Sequence, residues 1–463
     1  MNLLISILAF MFAIGILVAI HEFGHYWVAR KVGVKVLRFS IGFGKPLWTR
    51  VAGEDQTEYV LAAIPLGGYV KMLDEREGEV AEHELHRAFN RQSVWKRIAV
   101  VVAGPMANFL LAILLYTLVF MIGTKAYAPF VGDITQNSPA AVAGMNDGGL
   151  ITAVNGNAVS SWDETRMTLL NGYLENKSDV EISVSSKDNG LRNYSLDLSD
   201  ADLLKGSQDF LAKAGITFWQ PKQTVTVSKV LPDSSASVSG LQENDVVLRV
   251  DDAVVSDVRE FIKYIRSHPL QKITLEIERN SKVISVAVTL SEKEDKGEKV
   301  GSLGALLSTK VADDISAAER EKLKQLGFIY QRNPIDSFVL GIEKTWQMSI
   351  VTLKVMGRLI IGEASLKNIS GPITIAEFAG KTALLGLTVY LGFLAIISVS
   401  LGVLNLLPIP MLDGGHLLYY IIELFRGKPV SERVEAVGFQ IGIALVGSMM
   451  MLAIYNDVMR LIT

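Results

Sequence analysis

The chain has 463 residues, with 45 Lys and Arg against 48 Asp and Glu, a net charge of −3, 49% apolar residues and 20% charged ones. A balance so near zero excludes bulk electrostatic binding to nucleic acid. The absence of cysteine excludes disulfides and thiolate metal sites, so any metal must be held by His, Asp or Glu.

The first long apolar run, Leu3 to about Ala29, carries His21-Glu22-Phe23-Gly24-His25 near its end. No basic segment precedes it and no small-residue cleavage site follows, so residues 1–30 read as a retained membrane helix, not a secretion signal. Ionisable groups at membrane depth are costly and mark function by default. Residues 31–96 are expected to form a charged loop with β-hairpin elements. A second span is expected over Ile98–Ile122 (segment 97–122), a third from about Ala383 to Leu407 (segment 383–413) and a fourth from about Val437 to Tyr455 (segment 434–457). Each is long enough to cross about 30 Å of hydrocarbon at about 1.5 Å per residue. Basic residues crowd two loops: Arg30, Lys31, Lys35, Arg38, Lys45, Arg50, Arg91, Lys96 and Arg97 between the first two spans, and Arg426, Lys428 and Arg433 between the last two. The positive-inside rule puts these loops in the cytoplasm, with both termini and the stretch from Gly123 to about Thr382 outside.

That outer stretch repeats itself. With Gly144 aligned to Gly240, Ser138–Gly156 matches Ser234–Asp252 without a gap, and such repeats define modules. Each copy is expected to run strand, short helix, Gly-apolar turn, strand, polar turn and helix. The order and the core pattern GLxxGDxIxxVNG resemble PDZ domains, here at 126–220 and 221–308. The second copy keeps Leu241 and Asp245; the first has Met145, and Gly149 stands where the acid belongs. PDZ folds take up an extended chain end at an open sheet edge, with Gly215-Ile216 and Gly301–Ala305 as candidate carboxylate-cradling loops. The plainer reading is a pair of spacers over the membrane part. Residues 309–382 follow as a helical region. Within it Asp336–Gly362 is apolar but interrupted by Glu343, Lys344, Lys354 and Arg358, which suggests an amphipathic helix on the outer membrane surface or packed on other helices. The expected fold class is a multi-pass α-helical membrane protein with four transmembrane helices and two tandem PDZ (α+β) domains inserted between spans 2 and 3.

In HExxH the histidines stand one helical turn apart, so both imidazoles reach one ion, and the glutamate between them reaches a water beside it. Zinc lowers the pKa of such a water toward neutrality, giving a nucleophile for an amide. A catalytic zinc needs a third protein ligand. The candidate is Asp413 in NLLPIPMLDGGH (Asn405–His416). There Pro408 and Pro410 break the helix, Gly414-Gly415 is expected to loosen the chain beyond, and broken backbone at membrane depth requires a cavity or protein cover. His83, His86 and His268 read as ordinary surface histidines, and His416 as a candidate neighbour of the metal site.

HEFGH in the first span, AGPMANF (Ala103–Phe109) in the second and NLLPIPMLDGG in the third occur in the order of the site-2 protease family of intramembrane zinc metalloproteases, which the chain resembles. SIGFGKPLW (Ser40–Trp48) and IPLGGYVKM (Ile64–Met72) are similar to its subgroup with two PDZ copies. The resemblance implies Zn2+ held by His21, His25 and Asp413, Glu22 as general base, and Asn405 holding the substrate or the developing oxyanion. It implies Gly67, Gly68 and Tyr69 as the tip of a hairpin that dips into the membrane and offers an edge strand to substrate. It also implies a multi-pass protein of a bacterial inner membrane, with periplasmic PDZ domains and an active site near the cytoplasmic side. The substrates implied are single-span membrane proteins of the anti-sigma-factor type and signal-peptide remnants, cut after a first cleavage elsewhere in an envelope stress response. Two rivals stay open: a catalytically silent scaffold, against which Glu22 argues, and a zinc transporter, against which the scarcity of other ionisable groups in the spans argues.

Overall fold

The computed structural model describes residues 3–146, 148–175, 179–186, 190–199, 209–255, 257–295, 298–312, 315–362, 366 and 369–462. Asp147 of the first repeat and residues 200–208 of the segment 126–220 lie outside them. Helix α1 (Leu3–Lys31) leads to strands β1 (Val36–Ala52) and β2 (Thr57–Met72), then α2 (Val94–Ile122) to β3 (Thr124–Tyr127). A first β/α unit holds β4 (Val131–Ile134), α3 (Pro139–Val142), β5 (Leu150–Val154), β6 (Asn157–Ala158), α4 (Trp162–Glu175), β7 (Asp179–Ser186), β8 (Gly190–Asp197), α5 (Phe210–Lys213) and β9 (Ile216–Phe218). The second holds β10 (Gln223–Val230), α6 (Ser235–Val238), β11 (Val246–Val250), β12 (Ala253–Val254), α7 (Val258–Ser267), β13 (Lys272–Arg279), β14 (Lys282–Thr289), β15 (Ser291–Asp295), β16 (Glu298–Ser302) and β17 (Ala305–Val311). The chain continues through α8 (Ala317–Leu326), β18 (Gly327–Tyr330) and α9 (Pro334–Ile360). It ends with α10 (Pro372–Leu385), α11 (Leu387–Leu406), α12 (Asp413–Arg426) and α13 (Glu432–Ile462).

Helices α1, α2, α11 and α13 are long and apolar enough to cross a membrane. The first three share a core in which Ala13, Ala112 and Ala395 are buried beside Leu17, Leu115, Tyr116 and Val399. Small residues at such seams let helix backbones approach where lipid provides no hydrophobic drive. Away from the seam, Leu8, Phe12, Leu110 and Leu114 are exposed, as on a surface solvated by lipid.

The segment 383–413 is not one helix. Gly386, at φ +124°, separates α10 from α11, so Ala383 belongs to the preceding helix and the apolar span narrows to the 20 residues of α11. Helix α10 lies back against α1, where Gly380 meets Ser6. Its N-terminal amides are taken up by Asp457 of α13, which accepts from Gly371, Ile373 and Thr374 at 2.8–3.1 Å. A carboxylate at a helix N-terminus satisfies orphan donors and complements the dipole.

Strands β3 and β18 pair antiparallel, so the chain enters and leaves the two β/α units side by side at the end of α2. Gly123, at φ +90° and against Ile329, makes that corner. The second unit forms a sheet in the order β14-β13-β11-β10-β17 with β12 on β11; the first divides into β6-β5-β7-β8 and β4-β9. Asp245 shows why its copy keeps the acid. Buried at 1% exposure, it accepts from the amide of Gln242 and from two nitrogens of Arg279 at 2.7 Å. By the shared register, Gly149 and Ser186 stand in those two places in the first unit, so both partners of the ion pair are replaced together. Val184 fills the space a side chain on Gly149 would need.

Helix α9 packs on other helices, the second of the two readings. Gly341 lies against Ile113 and Thr117 of α2, and Met348 joins the core of α1, α2 and α11. Val351, Val355 and Leu359 join the core of the first β/α unit. Two of the charges that interrupt its apolar run face the same unit. Lys354 pairs with Glu175 at 2.8 Å, and Arg358 donates to the carbonyls of Tyr173 and Leu174 at 3.0 and 3.3 Å.

Candidate active site

Helix α1 continues through HEFGH without a break, so His21 and His25 share one face, one turn apart. Their rings meet edge to face with centroids 4.9 Å apart. Gly24, between them, is buried against the backbone of Ala103 and the side chain of Ala107, which lets α1 lie close to α2. His25 Nδ1 donates to the carbonyl of Val100 at 2.8 Å. Gly104 leaves the room its ring occupies.

The third group arrives from the far end of the chain. After α11 the backbone is non-helical across Leu407–Leu412, with Pro408 and Pro410 lacking the donors a helix needs and Met411 held at φ +87°. Asp413 then opens α12. Gly414 and Gly415 do not loosen this turn. They are buried against the carbonyls of Leu407 and Ile409, so their missing side chains permit tight closure. Gly438 and Gly442, one turn apart on α13, seat Tyr419 and Pro410 in the same way.

The result is a triangle of donor atoms. His21 Nε2 lies 3.3 Å from His25 Nε2, and Asp413 Oδ2 lies 3.2 and 3.4 Å from the two. Zinc bonds of about 2.0–2.1 Å give a tetrahedron with edges of about 3.3 Å, so the three atoms outline one face of it. Asp413 Oδ2 is buried and makes no hydrogen bond. With the His25 hydrogen on Nδ1 toward Val100, a neutral His25 turns an Nε2 lone pair toward this oxygen, an arrangement that fits a cation better than it fits the protein alone. Among the described residues, His21, His25 and Asp413 are the group with this geometry.

A cavity of about 510 Å³ opens on this triangle, and its lining includes Glu22, Gly68, Tyr69, Asn405 and His416. Glu22, Asn405 and two residues of the predicted hairpin therefore meet the three donors. Gly67 is half-buried and packs against the ring of Phe43, outside the cavity lining. The hairpin itself differs from expectation. Ser40 faces both Tyr69 and Val60, and Ile41 both Gly68 and Leu61, so β1 and β2 form one long ribbon folded back on itself. Gly68 and Tyr69 lie on its outer strand, not at a tip, because the turns fall elsewhere along the ribbon. Gly68 rests on Glu22, whose Cγ a side chain there would meet at 2.8 Å. Among the described residues no further strand pairs with that edge. Tyr69 stacks on Phe43 and accepts from Arg38 at 3.1 Å. His83 and His86 lie exposed on a 3-10 turn away from the site.

The sequence alone did not single out Val100, Gly104 and Asn108, although AGPMANF contains the last two. Asn108, a lone carboxamide in an apolar run, was the available signal; it lies 3.2 Å from His21 Nδ1.

The sequence pattern of peptidase family M50 matches residues 9–449. The chain is 41% identical over 461 residues to the Escherichia coli (strain K12) regulator of sigma-E protease RseP, covering 100% of both chains. It is similarly 41% identical to the protease RseP of Yersinia pestis, again over 100% of both. A Vibrio cholerae chain described as a zinc metalloprotease is 40% identical, covering 99% of this chain and 100% of that one. Among solved structures, the PDZ domain of an SdrC-like protein from Listeria monocytogenes is 22% identical over 20% of this chain and 90% of that one. Its TM-score of 0.17 is too low to bear on the fold. The full-length matches settle the family: this chain belongs to peptidase family M50 and is a zinc-dependent metalloprotease.

Proposed function

We propose that the protein is a site-2 intramembrane protease, with His21, His25 and Asp413 as the zinc ligands and Glu22 as the general base. The observation that carries this reading is the triangle of His21 Nε2, His25 Nε2 and Asp413 Oδ2, at 3.2–3.4 Å, opening on a cavity lined by Glu22. Bound there, zinc supplies Lewis acidity that polarises a carbonyl and acidifies water. Glu22 removes a proton from the attacking water and delivers it to the leaving amine. Asn405 presents its carboxamide to the substrate carbonyl as charge develops on it.

A substrate helix has its carbonyls internally bonded and must unwind before attack. The outer strand at Gly68–Met72 offers backbone partners to the extended form, next to Glu22. On this reading the two β/α units are tandem PDZ domains between the second and third spans, on the periplasmic side of a bacterial inner membrane. They exclude proteins that keep bulky outer domains, so that cleavage follows a first cut. The fitting substrates are single-span proteins of the anti-sigma-factor type, in keeping with the sigma-E regulation named for the Escherichia coli relative, and remnant signal peptides. The second copy, which retains the Asp245–Arg279 pair, is the better candidate for binding a chain end.

Incubation with a detergent-solubilised single-span substrate, followed by mass mapping of the products, tests this. Wild type should cut within or beside the apolar segment. Glu22→Gln should keep its zinc and lose about 10²–10⁴-fold in rate. Cleavage at an unaltered rate by Glu22→Gln refutes the assignment of the base.

A further inference from the structure

The ligands and base leave one buried polar side chain beside them unexplained. Asn108 on α2 is fully buried; its Nδ2 lies 3.2 Å from His21 Nδ1, and its Oδ1 has no partner. A buried carboxamide oxygen without a donor is costly, and its neighbour is a ring nitrogen.

Helix α2 meets the two imidazoles at the spacing that separates them. Val100 accepts from His25, Gly104 makes room for the His25 ring, and Asn108 faces His21. Positions 100, 104 and 108 are one turn apart on one face of α2, as 25 and 21 are on α1. An imidazole that offers Nε2 to a metal carries its hydrogen on Nδ1, and that hydrogen needs an acceptor. His25 finds one in Val100. For His21 the group within reach is Asn108. A half-turn of the carboxamide exchanges its nitrogen and oxygen: Oδ1 gains the His21 Nδ1–H as its donor, and Nδ2 takes the former place of Oδ1. The His21 Nε2 lone pair then remains free on the side of Asp413 Oδ2, 3.2 Å away. Ser398 of α11 donates to the Asn108 backbone carbonyl at 2.7 Å, which ties Asn108 to the helix leading to Asp413.

We propose that Asn108 is a positioning residue of the metal centre: its carboxamide oxygen accepts the Nδ1 proton of His21 and so fixes the tautomer and ring angle with which His21 holds the metal. This rests on the ligand assignment above.

The test is zinc affinity of the purified full-length protein by chelator competition, with the d–d absorption of the cobalt-substituted form as a second readout. Asn108→Leu and Asn108→Ala should weaken zinc about 10- to 100-fold and alter the cobalt bands. Asn108→Asp, which keeps an acceptor in place, should bind zinc close to wild type with unaltered bands. Wild-type affinity in the Leu and Ala variants overturns the proposal. Equal weakening in all three, Asp included, also overturns it, because Asp keeps both the shape and the acceptor. Should Asn108→Leu not fold, Asn108→Val takes its place, since it too keeps bulk while removing the acceptor. A His21→Ala/His25→Ala double variant separates the two layers. If it keeps zinc as tightly as wild type, the ligand assignment has failed; if it loses zinc while the Asn108 variants do not, only the role of Asn108 has.

Discussion

Two imidazoles and a carboxylate are costly near the end of an apolar helix unless each is given a task, and here each is partnered or aimed. His25 has Val100 on one nitrogen and the donor triangle on the other. The seat of its ring depends on an absent side chain. A Cβ on Gly104 would collide with the imidazole itself, and displacement by about 1 Å at a reacting centre costs on the order of 10²-fold in rate. Gly104→Ala should therefore lose about 100-fold in turnover of a model substrate, while the circular dichroism of the helices stays unchanged. HExxH and Asp413 were legible because their signals are local: a one-turn spacing, and an acid after two helix-breaking prolines. Val100 and Gly104 were not, since one contributes only a carbonyl and the other only space. The role expected of Gly414-Gly415 was inverted for the same reason, because whether glycine loosens or tightens depends on what it touches.

At the scale of elements, spans and repeats could be read from apolar length and internal alignment. What faces what could not. The strand carrying Gly68 and Tyr69 had the turn-prone look of GG, yet it pairs along β1 and rests on Glu22. The break at Gly386 hides inside an apolar run, because a positive φ leaves no mark on hydropathy. The charges of α9 looked like a wet face, and two of them prove to dock on the first β/α unit. The Asp245–Arg279 pair shows how a motif departure becomes intelligible once both partners are seen. Removing one member of a buried ion pair costs about 3–5 kcal/mol, toward the low end here because Arg279 retains some exposure. Asp245→Ala should thus speed hydrogen exchange in β11 and β13 of the full-length protein and leave β5 and β7 at wild-type rates. Equal acceleration in both units would contradict the assignment of that pair to the second unit's stability.

For the whole molecule, the paired β3 and β18 return the chain to the end of α2, so a large insertion leaves the contact of α1, α2 and α11 intact. The triangle of donor atoms is thereby assembled from the two ends of the sequence, with α2 between them carrying Val100, Gly104 and Asn108. Family membership follows from the full-length matches. The convergence itself is open to one direct measurement, X-ray absorption at the zinc edge of the zinc-loaded full-length protein. Wild type should show two imidazoles and oxygen ligands at about 2.0–2.1 Å in four-coordinate geometry, and Asp413→Ala should lose a carboxylate contribution and bind zinc more weakly. A wild-type spectrum with three or more imidazoles, or one that Asp413→Ala leaves unchanged in shape and affinity, would contradict the account.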